Sequence, residues 1–302
     1  MALQKRIRCM VMRAGTSKGV YLLENDLPQD PAEREQVILK IFGSPDPRQI
    51  DGLGGADPLT SKVAIIGPPS VEGADVDYTF GQVEIHEAKV HFNGNCGNIS
   101  AGVGPFAILM GLVKAREPVT TVRVYNTNSR KILVEEVPME DGEPAVYGDF
   151  AIPGVPGTGA EIRIDFSQTV GSITGKLLPT GNPVDEVDVP GYGVIRMSFV
   201  DMANPLVFVR AKDLGLTGTE TPAEVDENPE TLKMLEACRA AAAVKLGFAQ
   251  KAEDVKTPLP LLAFVGPPAD YVDFTTGKTV KAEEMDFTAR LMFMGIMHKT
   301  YA

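Results

Sequence analysis

The feature that most constrains the fold of this chain is an internal repeat that runs through both of its halves. The motif AFVGPP (263–268) matches AIIGPP (64–69), and the segment 195–214 follows the same order of motifs as 7–27. The matching motifs are offset by roughly 190–200 residues, which is too long for a solenoid repeat. The repeat predicts two similar α+β domains, with the boundary between residues 188 and 189, so that they comprise residues 1–188 and 189–302.

The second copy of the repeat is predicted to be shorter than the first. In the first copy an apolar helix is followed by strands predicted at 122–125 and 131–137. The corresponding helix of the second copy is predicted at 285–298, and no strands are predicted after it. A sheet without closing strands has unpaired edges and an exposed core. We therefore expect the sequence to be a fragment whose second domain lacks its closing strands.

The segment NGNCGNISAGVG (93–104) contains the strongest candidate for a reactive side chain. It follows a segment with strand-like alternation and precedes an apolar run, 105–113, that is typical of a buried helix. Gly94 and Gly97 flank Cys96, which places the thiol at a predicted helix start. The free N–H groups of a helix start stabilise negative charge, so this position favours a basic or nucleophilic thiolate. The alternative is a glycine-rich turn around a small buried cysteine.

Lys62 is the second candidate, because it stands at the start of a strongly apolar strand, 63–66. The Gly-rich segment DGLGGADP (51–58) precedes it and can bend closely around a ligand. Burial disfavours the charged ammonium, so a lysine here can accept a proton, and the alternative is a surface lysine at a strand end. The second copy has Leu261 at the equivalent position and no cysteine near 283–286. Features that occur in one copy alone favour function over structural need.

The segment RAGTSKG (13–19) joins two predicted strands and combines cations with hydroxyl groups. Arg13, Ser17 and Lys18 in such a turn suit the binding of a carboxylate, and an exposed polar hairpin turn is the alternative. The glycine spacing differs from that of a phosphate-binding P-loop, so nucleotide binding is not indicated.

Composition and charge argue against several other classes of function. The net charge of −11 argues against nucleic acid and anionic membrane partners, and no apolar run is long enough to span a membrane. Three cysteines are too few and too scattered for a disulfide framework, so we expect a reducing cytoplasm, with Cys9 and Cys238 in the core. His86 and His91 would face opposite sides of a regular strand and no Cys/His cluster has ligand spacing, so no metal site is predicted.

Several long motifs in this chain resemble those of one enzyme family. They are MRAGTSKG (12–19), FGSPDPRQIDGLGGADPLTSK (42–62), DVDYTFGQV (75–83), NGNCGNISAGVGPFAI (93–108), LTGTETP (216–222), DYVDF (270–274) and MHKTYA (297–302). Together they resemble the methylaconitate isomerase (PrpF-like) family, most closely its 3-methylitaconate delta-isomerases, over nearly the whole chain. The resemblance implies a diaminopimelate epimerase-like α+β fold, in which two similar domains each form a β-barrel or roll around a central helix.

The resemblance also implies a reaction and a pair of catalytic residues. The family's catalytic pair falls on Lys62 and Cys96, and we favour Lys62 as the group that abstracts the proton. The implied reaction is a cofactor-independent 1,3-allylic proton shift in a small unsaturated di- or tricarboxylate, such as 3-methylitaconate, 2,3-dimethylmaleate or 2-methylaconitate. We assign substrate binding to Arg13, Ser17, Lys18, Asn95, Gly97 and Asn98.

Three alternatives to this function stay open at the level of sequence. The chain could be a 4-oxalomesaconate-type tautomerase, or an accessory partner of a dehydratase without activity of its own. An amino-acid epimerase or racemase would need a second thiol, for which Cys238 is poorly placed. In each enzymatic case we expect a small anionic carboxylate as substrate, no cofactor, no nucleic acid or membrane partner, and a homo-oligomer, either a dimer or a tetramer.

Overall fold

The computed structural model describes residues 4–273 and 277–299, and the chain divides into two compact units. Unit 1 extends to Thr169, and unit 2 begins at Val170. None of the helices within the described ranges is both long enough and apolar enough to span a membrane.

The division between the units lies upstream of the predicted boundary at residue 188. Residues that follow Val170 bond to Asp201, which lies deep in unit 2. The N–H of Gly171 bonds to the Asp201 carbonyl at 2.8 Å, and the N–H of Thr174 bonds to its Oδ2 at 2.7 Å. A boundary at residue 188 would also cut through the strand Asp185–Val189. The connecting segment therefore belongs to the second unit.

Unit 1 is built on a mixed sheet. Its strands are β1 Cys9–Ala14, β2 Ser17–Leu23, β3 Lys62–Gly67, β4 Val76–Val83, β5 Val90–His91, β6 Val119–Asn126, β7 Lys131–Glu140, β8 Glu143–Pro144 and β9 Arg163–Asp165. Its helices are α1 Pro31–Phe42, α2 Gly97–Ser100 and α3 Val103–Leu109, with short 3-10 helices at Glu24–Asp26 and Ser167–Thr169. The strand order is β1-β2-β3-β4-β6-β7-β8, with β5 beside β4 and β9 beside β7.

Helices cover both faces of the unit 1 sheet. Phe42 of α1 is buried in one apolar cluster with Val63, whereas Phe106 of α3 is buried in another cluster with Ala64. Val63 and Ala64 are neighbours on β3, and successive side chains of a strand point to opposite faces. β3 is therefore enclosed on both sides, which explains its continuous apolar sequence.

Unit 2 is built on a second mixed sheet and a separate pair of short strands. Its strands are β10 Asp185–Val189, β11 Gly193–Asp201, β12 Pro205–Arg210, β13 Leu261–Gly266, β14 Tyr271–Val272, β15 Thr279–Val280, β16 Thr288–Phe293 and β17 Ile296–Met297. Its helices are α4 Pro222–Asp226 and α5 Pro229–Lys245, with 3-10 helices at Ala211–Leu214, Ala252–Asp254 and Ala282–Glu284. The strand order is β10-β11-β12-β13-β16-β17, and β14 pairs with β15.

The two units share a strand arrangement, as the internal repeat predicts. The pairs β1–β2 and β11–β12 are antiparallel, and the pairs β2–β3 and β12–β13 are parallel. The next pairs, β3–β4 and β13–β16, are again antiparallel. Lys62 and Leu261 are the first residues of β3 and β13, so the predicted equivalence of these two positions is confirmed.

The prediction of a helix at 285–298 is wrong, because this segment contains β16 and β17. Met294 and Gly295 have positive φ values of 55° and 77°, and they form the tight turn between the two strands. Two left-handed residues give the turn that matches the twist of a hairpin. Leu291 and Met292 therefore pair with residues of β13 and are not part of a helix.

The pairing of β16 and β17 shows which parts of the two units correspond. β16 pairs with β13 as β4 pairs with β3, and β17 pairs with β16 as β5 pairs with β4. In unit 1 the segment with Cys96 follows β5, whereas residues 283–286 precede β16 and therefore do not correspond to that segment. The lack of a cysteine at 283–286 is therefore no argument against a second thiol.

Candidate active site

Lys62 and Cys96 lie in direct contact inside unit 1, although they come from different elements. Lys62 begins β3, and Cys96 immediately precedes α2. The Lys62 Nζ donates a hydrogen bond to the Cys96 Sγ over 3.3 Å. The two residues are buried, with 4% and 8% of their surface exposed, and Nζ lies 6.0 Å from the centre of the Phe80 ring. A buried amine and thiol in contact form a pair that can pass a proton between its members.

Hydrogen bonds to the carbonyl group of Cys96 hold its backbone in place. Cys96 is extended, with φ −129° and ψ 107°, and its carbonyl oxygen accepts bonds from the Ser100 N–H at 3.1 Å and Oγ at 3.0 Å. α2 is a single turn of four residues, and Gly102 separates it from α3. The helix predicted at 105–113 corresponds to α3, whereas Cys96 precedes the separate single turn α2, whose dipole is weaker than the sequence suggests.

Two asparagine side chains support the peptide N–H of Cys96. Asn95 Oδ1 accepts this N–H at 2.8 Å, and it also accepts a hydrogen bond from Asn126 Nδ2 at 2.9 Å. Asn126 is the last residue of β6 and is fully buried. The sequence predicts a role for Asn95 but not for Asn126, because the pairing of distant strands brings the two side chains together.

A two-residue turn, Gly15-Thr16, joins β1 to β2 and packs against α2. The Thr16 N–H donates to Asn98 Oδ1 at 2.9 Å. Gly15 has φ 54°, and a Cβ at this position would lie 2.0 Å from Asn98 Oδ1. Only glycine fits such a close approach with a left-handed backbone. The side chain of Asn98 therefore fastens the hairpin to the helix that follows Cys96.

The pairing of β1 with β2 decides which of the predicted hairpin residues share the face of Cys96. Ala14 pairs with Ser17 and Arg13 pairs with Lys18, so the two pairs lie on opposite faces. Ala14 belongs to the apolar cluster that contains Cys96, which places Ser17 on this side. Ser17 is 2% exposed, and its Oγ has no hydrogen-bond partner in the part of the chain that the structure describes. Of the three hairpin residues, Ser17 alone shares the face of Cys96.

Gly97 is the residue that directly follows Cys96. It is exposed, and a Cβ at this position would meet, among the described residues, the Phe166 ring alone within 4 Å, at 3.5 Å. Gly97 therefore adds no side chain of its own beside Cys96.

A buried tyrosine supports the same helix from the sheet. The Tyr21 hydroxyl donates to the Ile99 carbonyl oxygen at 2.7 Å. Burial raises the pKa of Tyr21, and the electrostatic effects of Cys96 and Glu135 raise it further. The hydroxyl therefore keeps its proton and remains a donor to the helix.

A buried carboxyl group lies beside the start of α3. Glu135 of β7 is fully buried, and its Oε2 accepts the Gly104 N–H at 2.8 Å. Burial raises the pKa of Glu135 from 4.5 to about 8, although the hydrogen bond from Gly104 lowers it. Leu133 and Val137, two residues away on either side, are also buried. A glutamate at an apolar position of an alternating strand is the sequence signal that identifies it.

The remaining cysteines and histidines have structural surroundings. Cys238 lies in the apolar core of unit 2, and burial raises its pKa to about 12, so its predicted core position is confirmed. Cys9 is half-buried on β1. His91 Nε2 lies 2.8 Å from Glu84 Oε1. Within residues 4–273 and 277–299, no three His, Cys, Asp or Glu side chains form a group that could hold a metal ion.

Unit 2 contains a cavity of about 430 Å³. It is less suited to an anionic substrate than the site at Lys62 and Cys96. Glu220 and Glu224 line it. Burial raises the pKa of Glu220, but hydrogen bonds from Thr217 outweigh this effect and hold it below its ordinary value. Hydrogen bonds from Thr221 lower the pKa of Glu224. Two ionised carboxylates repel a carboxylate ligand.

Comparison with known proteins identifies the family of this chain. The profile of the PrpF protein family matches residues 4–302. The chain is 57% identical to the 3-methylitaconate isomerase of Eubacterium barkeri, over 99% of this chain and 79% of that protein. It is 39% identical to the 2-methyl-aconitate isomerase of Shewanella oneidensis, over 98% of this chain and 78% of that protein. The resemblance predicted from the motifs is confirmed.

Solved structures agree with this grouping. The crystal structure of a methylitaconate-delta-isomerase matches with a TM-score of 0.78 and 57% identity, over 98% of this chain and 77% of that chain. A hydroxyproline epimerase from Agrobacterium vitis matches with a TM-score of 0.55 and 14% identity, over 99% of this chain and 74% of that chain, which shows a shared fold alone. The predicted α+β, diaminopimelate epimerase-like fold is confirmed. The chain therefore belongs to the PrpF family.

Proposed function

We propose that this chain is a cofactor-independent isomerase that moves a C=C bond in a small unsaturated di- or tricarboxylate by a 1,3-proton shift. The observation that carries the proposal is the buried contact of 3.3 Å between Lys62 Nζ and Cys96 Sγ. The names of two family members, a 3-methylitaconate isomerase and a 2-methyl-aconitate isomerase, support the substrate class.

In this mechanism the two side chains exchange protons with the two ends of one allylic unit. The cycle starts from the neutral amine of Lys62 and the thiol of Cys96, and Lys62 removes a proton from the first carbon. Cys96 then delivers a proton to the far carbon of the enolate-like intermediate. The two ends are separated by two bonds, so an acid and a base in contact can each reach one end. Transfer of the proton from Lys62 Nζ to Cys96 Sγ, across their hydrogen bond, then restores the neutral amine and the thiol.

The intermediate places extra negative charge on a carboxylate of the substrate, and this charge needs hydrogen-bond donors. The Ser17 hydroxyl is buried on the face of Cys96 and, within the described ranges, has no partner in the protein. It is therefore available to donate to a substrate carboxylate. We expect Ser17→Ala to lower kcat/KM by about tenfold, the effect of one lost hydrogen bond to a charged group.

Proton NMR in deuterium oxide tests the proposed reaction. Purified protein is mixed with 3-methylitaconate, 2-methylaconitate or oxalomesaconate, and the vinylic and methyl signals are followed. We expect C=C migration with deuterium at the carbon that receives the proton. Lys62→Ala and Cys96→Ala should each lower kcat by about 10²–10⁴-fold, the range of general acid–base catalysis, with an unchanged circular dichroism spectrum. Cys238→Ala, in the core of unit 2, is the matched control and should keep its activity.

Other outcomes of this assay would lead to different conclusions. No change in any of the three acids with folded protein refutes the isomerase and favours an accessory role. A Cys96→Ser variant at the wild-type rate removes the thiol from the mechanism. Deuterium exchange at the α-carbon of an amino acid, without C=C migration, would assign an epimerase instead.

We also infer that the chain works in the cytoplasm. Cys9, Cys96 and Cys238 are all free thiols, which supports a reducing compartment. The homo-oligomer stays a prediction, and light scattering of the purified protein tests it.

A further inference from the structure

We propose that Asn126 is a positioning residue that holds the Cys96 thiol against Lys62 through the side chain of Asn95. The proposal rests on the proposed function only for the role of the Lys62–Cys96 pair. Asn126 does not touch either of these side chains in the described contacts, and it acts through Asn95 Oδ1, which accepts from both Asn126 Nδ2 and the Cys96 N–H.

The orientation of the Asn95 and Asn126 amide groups follows from two backbone N–H donors, one that bonds to each side chain. A backbone N–H can only donate, so the oxygen of an amide must face it. The Ser129 N–H donates to Asn126 Oδ1 at 2.8 Å, and the Ser129 Oγ donates to the same oxygen at 2.9 Å. The Cys96 N–H likewise requires the oxygen of Asn95. The Nδ2 of Asn126 is thereby directed at Asn95, with no freedom to reverse.

These bonds fix Cys96 from its amino side, and other bonds fix it from its carbonyl side. The carbonyl oxygen is held by the N–H and hydroxyl of Ser100. Cys96 is therefore anchored on both sides of its Cα, which fixes the direction of its Cα–Cβ bond and the point from which Sγ reaches Lys62. Loss of the Asn126 donor releases the amino side, and the contact between Sγ and Nζ is then no longer enforced.

Asn126 differs from a nearby asparagine in the segment that its side-chain amide group contacts. Asn126 is the last residue of β6, directly before the turn that joins β6 to β7, and it is fully buried. Asn128 lies two residues later in the same turn, but its amide bonds to the backbone of Phe80 and Phe92. Asn128 thus supports strand β4 and the end of β5, whereas Asn126 supports the reactive segment. The two residues offer a matched comparison.

The test measures the alkylation of Cys96 by iodoacetamide in the free protein, resolved by peptide mass spectrometry. Asn126→Asp keeps the shape of the side chain but replaces the Nδ2 donor with an acceptor, and Asn126→Ala removes the amide without adding charge. We expect both variants to slow Cys96 alkylation by about tenfold and to lower kcat by a similar factor with little change in KM, because Sγ loses its enforced contact with the amine that can take up its proton. Asn128→Asp should lower the thermal midpoint and leave Cys96 alkylation unchanged.

The outcomes separate this proposal from the proposed function. Alkylation of Cys96 at the wild-type rate in both Asn126 variants overturns the proposal, and so does an equal loss in Asn128→Asp. If Asn126→Asp does not fold, Asn126→Ala alone decides. If the wild-type protein isomerises none of the three acids but the Asn126 variants still slow alkylation, the positioning role stands and the isomerase assignment fails.

Discussion

Replacing Glu135 by glutamine should remove a pH dependence of stability that one buried carboxyl group causes. Glutamine has nearly the same shape and keeps an oxygen that can accept the Gly104 N–H. Glu135 Oε1 has no hydrogen-bond partner within the described residues, so the exchange breaks no bond of the carboxyl group. The two side chains differ chiefly in that glutamate can ionise.

The sign of the effect follows from the pKa of Glu135 in the two states. Burial raises this pKa from 4.5 in the unfolded chain to about 8 in the fold. The folded state therefore binds the proton more tightly, and the stabilisation is fully present below pH 4.5 and is lost as pH rises through 8. Between these values one proton separates the two states, so the free energy of unfolding falls by about 1.4 kcal/mol per pH unit. From about pH 5 to about pH 7 the loss amounts to ~2.5 kcal/mol.

Chemical denaturation of both proteins at several pH values measures this slope. The chain has no tryptophan, so far-UV circular dichroism is the suitable signal. The difference in the free energy of unfolding between Glu135→Gln and the wild type should grow in favour of glutamine by ~2.5 kcal/mol over this range. Glu136→Gln is the matched control, because Glu136 is the next residue on β7 and is exposed. It should show no such trend.

A pH-independent difference between Glu135→Gln and the wild type would refute the reasoning. It would mean that the carboxyl group ionises in the folded protein near its ordinary pKa, with water or a rearranged neighbour to solvate the charge. An equal trend in Glu136→Gln would assign the effect to the net charge of the strand and not to burial.

Two further predictions concern a glycine and a cysteine. Gly15→Ala should destabilise the protein by ~1–3 kcal/mol, measured by denaturation, and should lower activity, because the new Cβ would lie 2.0 Å from Asn98 Oδ1. A Gly15→Ala variant with wild-type stability would mean that the hairpin does not pack on α2 as described. Cys238 should resist iodoacetamide in the native protein at about pH 8, since its pKa of about 12 leaves almost no thiolate. Rapid labelling of Cys238 would show that unit 2 opens in solution.

The sequence predicts those parts of the fold that local chemistry determines. The apolar run that follows Lys62 predicts the strand that the structure shows as β3. The strands of the second copy at β11 to β13 follow from the repeat. In each case a residue type has a steric or solvation preference that acts within a few residues.

The parts that the sequence did not predict depend on contacts between distant segments. The run 285–298 is too short and too evenly apolar for its periodicity to separate a helix from two strands. Pairing with β13 decides the outcome. The contact between Asn126 and Asn95 depends in the same way on strand pairing in unit 1, which brings the end of β6 close to the segment after β5. The approach of Lys62 to Cys96 could be inferred only from the family resemblance.

The equivalent positions Lys62 and Leu261 allow one more prediction, which concerns how much the buried lysine lowers the free energy of unfolding. Both residues begin a strand that pairs in parallel on one side and antiparallel on the other, so the backbone does not require lysine. Burying an amine away from water costs free energy, whereas burying an apolar side chain of similar size does not. One hydrogen bond to a thiol offsets only part of this cost. Lys62→Leu should therefore abolish proton transfer while raising the free energy of unfolding by ~1–3 kcal/mol. If Lys62→Leu is instead less stable than the wild type in denaturation, the lysine is part of the structural core, and its burial is no longer an argument for a catalytic role.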